Sequence, residues 1–241
     1  PKVVICVPSA ITEVERRAVT DAARRAGAAD AQLIEQPMAA AIGAQLPIDE
    51  PVGNMVIDIG GGTSETAVIS LGGIVALEAV RVGSFDIDNA IQNYVRREHG
   101  IAVGERTAEE IKVAIGSAAQ TPDEVDAEVS GRDLMMGLPK TVVLTPEEIR
   151  YAIDDVVSQI VQSVVRCLAK APAELAQDFL TRGMYLVGGG GLLRGLAERI
   201  ERETQVPVRM SQMPLEAVVL GAGHCIENYD ALKRMFMGQR R

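Results

Sequence analysis

Histidine is nearly missing from this chain: His99 and His224 are the only two in 241 residues, and they form no H-x-x-x-H pair. A histidine-based zinc site is therefore not expected. Cysteine is scarce as well. Cys6, Cys167 and Cys225 stand far apart and are odd in number, which predicts neither a disulfide framework nor a metal cluster and fits a reducing, cytoplasmic setting. Positive charge is in deficit, with 24 Lys and Arg against 33 Asp and Glu and a net charge of −9. Phosphate backbones require a basic face, so nucleic acid is not an expected partner. No stretch reaches the roughly 18 apolar residues of a membrane span; the most apolar region, residues 67–80, is broken by Gly72 and Gly73. Signal-peptide pattern, solenoid repeat and low-complexity tract are all lacking. Neither the Walker pattern nor G-x-G-x-x-G occurs.

What is present is enough for a core. Hydrophobic residues make up 47% and charged residues 24%, a globular balance for one large domain or two small ones. The β-branched run at 3–7 reads as a buried strand. An apolar strand that starts at residue 3, with no Met before it, predicts that sequence once preceded it and that the chain is a fragment. Thr12 with Glu15 is a capping-box pattern, and Gly27 suits the end of the following helix. A short strand at 32–35 and a helix at 38–44, opened by Pro37, complete a β-α-β-α rhythm. The rhythm then changes. Strands at 55–59, 65–70 and 74–82, joined by glycine turns, predict an antiparallel meander.

Helices are expected at 86–98 and at 107–116, the second with Thr107 as N-cap and Glu110 at the box position. Short strands at 127–129 and 141–144 suggest a small accessory lobe. Thr145-Pro146-Glu147-Glu148 is a strong start for a helix running to about Lys170. A helix at 173–181, a strand at 184–187, a helix from Leu192 to Thr204, a strand at 206–209 and a helix from Leu215 to Arg234 follow. The last is expected to split, if at all, near Gly221-Ala222-Gly223. Arg240-Arg241 end a modestly basic tail.

Three segments carry chemistry. In Asp58-Ile59-Gly60-Gly61-Gly62-Thr63 a strand delivers an acid and then a glycine turn. Without Cβ atoms, backbone N–H groups can converge on a small anion. Thr63 adds a hydroxyl, and Asp58 suits a hydrated Mg²⁺ held through water. The alternative is a hairpin with a structural glycine run. In Leu186-Val187-Gly188-Gly189-Gly190-Gly191-Leu192, strand, glycines and helix start together offer unpaired N–H groups to an anion. A tight strand-to-helix turn explains the same letters. In Gly104-Glu105-Arg106-Thr107-Ala108-Glu109-Glu110-Ile111-Lys112, Glu109 and Lys112 share a helix face and can reach a ribose, or form an ordinary solvated pair.

Together these segments resemble the actin, heat-shock ATPase and sugar-kinase superfamily. Within it the chain is similar to the MreB-like family of bacterial actin-like cell-shape proteins. Glu35-Gln36-Pro37-Met38-Ala39-Ala40-Ala41-Ile42-Gly43, the three segments above, Leu71-Gly72-Gly73-Ile74-Val75, Gly131-Arg132-Asp133-Leu134 and Leu138-Pro139-Lys140 carry the resemblance, in order and over essentially the whole chain.

The resemblance implies an α/β actin-like ATPase fold with ribonuclease H-like halves, the first domain incomplete and the second nearly whole. Residues 1–48 with 218–241 would be the remnant of the first large subdomain. Residues 49–84 with 150–217 would form the second, and 85–149 an inserted small subdomain. It implies a cytoskeletal protein that binds ATP and Mg²⁺, assembles with copies of itself into filaments and hydrolyses ATP slowly as it polymerises. Cell-shape and wall-synthesis membrane proteins, and the cytoplasmic face of the inner membrane, would be its further partners.

By residue, Gly60, Gly61, Gly62 and Thr63 would hold phosphate, with Asp58 facing the metal's water shell. Glu109, Glu110, Ile111 and Lys112 would line the ribose and adenine site. Gly189, Gly190, Gly191 and Leu192 would sit by the adenosine and α-phosphate, and Glu65 would help order water. Two departures stand out. The family's first phosphate loop, an Asp-Leu-Gly-Thr-type hairpin, does not occur in this sequence. Gln36 stands where the family commonly has Glu; it can orient the attacking water but not deprotonate it. The same superfamily leaves a chaperone-type ATPase, a small-molecule kinase or a non-catalytic interaction protein as alternatives.

Overall fold

In the computed structural model, which describes residues 1–237, a five-stranded mixed sheet organises the larger part of the chain. Its strands are β3 (Asn54–Ile59), β4 (Ser64–Ser70), β5 (Gly73–Val80), β9 (Met184–Val187) and β10 (Val208–Met210), in the spatial order β10-β9-β3-β4-β5. The meander β3-β4-β5 is antiparallel, as its tight glycine turns predict, whereas β9 and β10 join β3 in parallel. A two-stranded parallel sheet, β1 (Lys2–Val7) with β2 (Asp30–Glu35), lies apart from it. A third sheet contains β6 (Ile101–Ala102), β7 (Ala127–Asp133) and β8 (Pro139–Leu144).

Side-chain alternation sends the central sheet's two faces into different cores. Met55, Ile57, Ile59 and Val68 point into the larger one. There they meet α3 (Ser84–Glu98), α4 (Glu105–Ile115), α5 (Pro146–Lys170), α6 (Ala176–Arg182) and α7 (Leu196–Thr204). Val56, Ala67 and Ile69 point the other way, onto α2 (Gln36–Gly43) and α8 (Ala217–Glu227). These two helices cross at very short range because small residues face each other. A Cβ on Gly221 would stand 1.8 Å from the Ala39 carbonyl oxygen, and one on Gly43 equally close to that of Ala217. Only glycine permits such an approach.

Local signals fix the starts of α1 (Glu13–Arg25) and α5. Thr12 and Thr145 both close full capping boxes, with Glu15 for α1 and Glu148 for α5. Gly27 takes φ +101° just beyond the α1 cap, as a C-terminal glycine should.

Several expectations are corrected. The strand at β1 is only half-buried, with Val7 alone in the core, because its sole pairing partner is β2. α4 begins two residues before Thr107, with Gly104 at its cap, so the Thr107–Glu110 box does not form. Glu110 pairs with Arg106 one turn away instead. No helix starts at Leu192: a 3-10 turn spans Gly189–Leu192, and α7 begins only after Gly195, which sits at φ +72°. The C-terminal helix breaks at Asn228, between α8 and α9 (Tyr229–Leu232), and runs unbroken through Gly221–Gly223. β7 and β8 are longer than expected, and β6 carried too short an apolar run to be read from sequence. Arg240-Arg241 lie outside the described residues.

Candidate functional site

β3 and β9 are paired neighbours, with Asp58 beside Val187, so the glycine turns that follow them lie side by side. The first is a hairpin closed by the Gly60 N–H donating to the Thr63 carbonyl at 2.9 Å. The carbonyls of Gly60 and Gly61 accept from Ser84 N–H at 3.0 Å and Phe85 N–H at 2.8 Å. Two otherwise unpaired donors at the start of α3 are thereby satisfied. In a trans peptide the next N–H points opposite to the carbonyl. The N–H groups of Gly61 and Gly62 are therefore turned away from α3, and neither donates to an acceptor among the described residues.

The second turn is built differently. Gly188 adopts φ +83°, and a Cβ there would lie 2.3 Å from the Ile59 carbonyl oxygen and 2.7 Å from Asp58 Oδ1. A Cβ on Gly190 would strike Ile59 Cγ2 at 2.4 Å. The Gly188 N–H donates to the Pro214 carbonyl at 2.8 Å.

Between the turns opens a cavity of about 380 Å³, within the usual range for a small-molecule site. Gly60, Gly61, Gly189 and Gly190 contribute backbone to its wall. One face of α4, with Glu109, Lys112, Val113 and the capping Gly116, forms a side, since these positions recur at helical spacing. Ser84 and Ile87 contribute from α3, and Leu192, Leu193, Arg194 and Leu215 complete the lining, Leu215 close to Gly189. Lys112 does not extend freely into this space. Its ammonium lies 2.9 Å from Asp88 and donates to Ser84 Oγ at 2.6 Å. Burial pushes the Asp88 carboxyl up, and Lys112 opposes the shift. The Lys112 stem, rather than its charge, is what α4 presents.

Behind the first turn, Asp58 and Glu65 are direct partners across β3 and β4. Both are buried, 7% and 2% exposed. Burial, then the charge of Glu65, pushes Asp58 up to about 6. Burial raises Glu65 too, opposed by Ser9, whose N–H and hydroxyl donate to it at 3.0 and 2.9 Å. The Glu35 carboxylate adds to the rise.

The expected site residues thus divide. Gly60, Gly61, Glu109, Lys112, Gly189, Gly190 and Leu192 share the main cavity. Gly62, Thr63 and Glu65 line a second one, of about 590 Å³, beside Pro8 and Ile11. Gln36 opens α2 and Asp58 lies beneath the turn; neither lines these two cavities. Glu110 is exposed and ion-paired, Ile111 is in the core, and Gly191 packs toward Leu186. Sequence reading missed Ser84, Asp88, Arg194 and Leu215. Only Asp88 left a signal, as an acid one position from Ile87 on the apolar face of α3.

No group of three or more His, Cys, Asp or Glu that could hold a metal occurs among the described residues. No helix among them is long and apolar enough to cross a membrane.

Comparison with known proteins agrees with this architecture. The chain is 48% identical over 230 residues to the cell shape-determining protein MreB of Escherichia coli K12, covering 95% of this chain and 66% of that relative. It therefore spans just under two thirds of that protein's length. It is 39% identical over 234 residues to the cell shape-determining protein Mbl of Bacillus subtilis, covering 97% of this chain and 70% of Mbl. The ADP-bound crystal structure of MreB5 from Spiroplasma citri superposes with a TM-score of 0.91 at 35% identity, over 95% of this chain and 69% of MreB5. The fold is accordingly the actin-like α/β fold, present in part. A family model described as MreB/Mbl protein matches residues 1–234, and with sheet order, glycine turns and sequence all in agreement, the chain belongs to the MreB/Mbl family.

Proposed function

We propose that this chain is the nucleotide-binding part of a filament-forming, actin-like cytoskeletal protein that takes ATP with Mg²⁺ and hydrolyses it slowly on assembly. Its role is to maintain cell shape by organising wall synthesis with membrane proteins at the cytoplasmic face of the inner membrane. The observation that carries the reading is the cavity between the two glycine turns. Its wall combines the backbone of Gly60, Gly61, Gly189 and Gly190 with the apolar side chains of Leu192, Leu193 and Leu215. Free N–H groups suit phosphates, and an apolar slot suits a flat base. MreB5 of Spiroplasma citri has been solved with ADP and with AMPPNP, which supports a nucleotide as the occupant.

In this reading Gly60 to Thr63 hold phosphate, the ligand's phosphates passing from the main cavity toward the second one, which Gly62 and Thr63 line, and Glu109 reaches the ribose. Asp58 faces the water shell of Mg²⁺. Its pKa, raised to about 6, fits that role: a buried carboxylate without a cation nearby is costly, and a divalent ion would favour the charged form. Gln36 and Glu65 orient the attacking water. The division into residues 1–48 with 218–241, 49–84 with 150–217, and 85–149 belongs to the same reading.

Titration of Mg-ATP into the chain by calorimetry tests the occupant. Weak binding competed by ADP is expected, since the first phosphate loop does not occur in this sequence; heat indistinguishable from dilution at millimolar nucleotide would overturn it. For the chemistry, Gln36→Ala in assembled full-length protein should slow phosphate release about tenfold or more, on the scale of a lost water-positioning group. Unchanged release would remove Gln36 from the mechanism.

A further inference from the structure

Arg194 lines the main cavity and has no carboxylate partner in ion-pair range among the described residues. Its side chain is nonetheless held. Nη2 donates to the Ala114 carbonyl at 2.6 Å, and Nε donates to the Gly116 carbonyl at 3.4 Å. These are end-of-helix carbonyls of α4, whose partial negative charge suits a cation. The backbone is pinned as well: Ala118 N–H donates to the Arg194 carbonyl at 2.7 Å, and Ser117 forms a parallel bridge with Arg194. A planar guanidinium is thus fixed across the rim where Val113, Gly116, Leu192 and Leu193 form the wall.

We propose that Arg194 is the base platform of this site: its guanidinium plane stacks on the nucleobase and covers it on one side of the cavity. The proposal rests on the nucleotide reading and deepens it. Guanidinium stacks on flat conjugated rings because it is planar, delocalised and weakly hydrated. Two of its five N–H donors are spent on α4 carbonyls, which holds the plane by one edge and lets its face serve the ligand. Lys112 cannot take this part, since its ammonium is tied to Asp88 and Ser84. Arg194 also ties the end of α4 to the loop before α7, so base binding and the position of α4 are coupled through one side chain.

The test compares ADP with inorganic tripolyphosphate, which has the charge but no base. Both are titrated into the full chain and its Arg194→Ala and Arg194→Lys variants by calorimetry, with the thermal midpoint of each unliganded variant recorded. Arg194→Ala should weaken ADP about tenfold, the scale of one lost stacking partner, and leave tripolyphosphate unchanged. Arg194→Lys should recover little, because it restores charge without a plane. Equal weakening of both ligands, or full recovery by Lys, would make Arg194 a charge contact and overturn the platform. An unchanged ADP affinity would overturn it too, whatever the thermal midpoint does. If the unaltered chain binds neither ADP nor ATP, the nucleotide reading itself fails, a distinct result.

Discussion

The two glycine turns look alike as letters and are opposites as structure. At Gly188 and Gly190, glycine is demanded by packing. Positive φ and the Ile59 backbone at 2.3 Å leave no room for a side chain at the first, and Ile59 Cγ2 crowds the second. At Gly60 to Gly62 the chain demands little. No φ there is positive, a Cβ on Gly62 meets nothing within 4 Å, and the nearest atoms to one on Gly61 belong to the ring of the exposed Phe85, at 2.6 Å. A glycine that packing does not require is the better candidate for a ligand's close approach. On that ground the proposed function gives the terminal phosphates to the first turn, while the second is the joint that seats β9 against β3.

That contrast can be broken by substitution. Gly188→Ala should cost most, about 4 kcal/mol of unfolding free energy, since it combines strained backbone with a clash that cannot relax. A urea midpoint implying less than about 1 kcal/mol would show that the second turn can deform, and the contrast would collapse. Asp58→Asn probes the carboxylate wedged between the turns. The folded-state value of about 6 lies above the ordinary 3.8. The folded chain therefore binds the extra proton, and stability falls as pH rises from about 4 to 6, the full cost being present above 6. By linkage that cost is on the order of 3 kcal/mol. The Asn variant should be more stable than the parent at pH 7.5 and lack this slope; a steeper loss of stability with pH would refute the assignment. Gly62→Ala should have the smallest effect on stability, within about 0.5 kcal/mol. Its Mg-ATP affinity should nevertheless fall at least about tenfold, read by calorimetry, as expected where a Cβ enters a phosphate cradle. Loss of stability with unchanged affinity would reverse the roles of the turns.

Much of this was legible in the sequence because it rests on local rules. Thr12 with Glu15 and Thr145 with Glu148 set helix starts within one turn of chain, and the meander followed from glycines at fixed spacing. The failures have equally physical causes. Thr107 and Glu110 satisfy a capping-box pattern, but Gly104 starts α4 earlier and places both inside the helix. The Leu192 helix start was overridden by Gly195, whose left-handed backbone delays α7. Arg194 gave no signal because its role depends on carbonyls some 80 positions earlier in the chain.

By itself the sequence determined the element types, the antiparallel meander and the presence of two glycine turns, since propensity, capping and turn chemistry act over a few residues. Tertiary structure alone decided that β3 and β9 pair, and so that the turns meet. It decided that Asp58 faces Glu65 in a buried setting, that Lys112 is held by Asp88, and that Arg194 lines the cavity. Those facts come from strand pairing and helix packing between distant segments, where desolvation and close contact, not local pattern, set the energy.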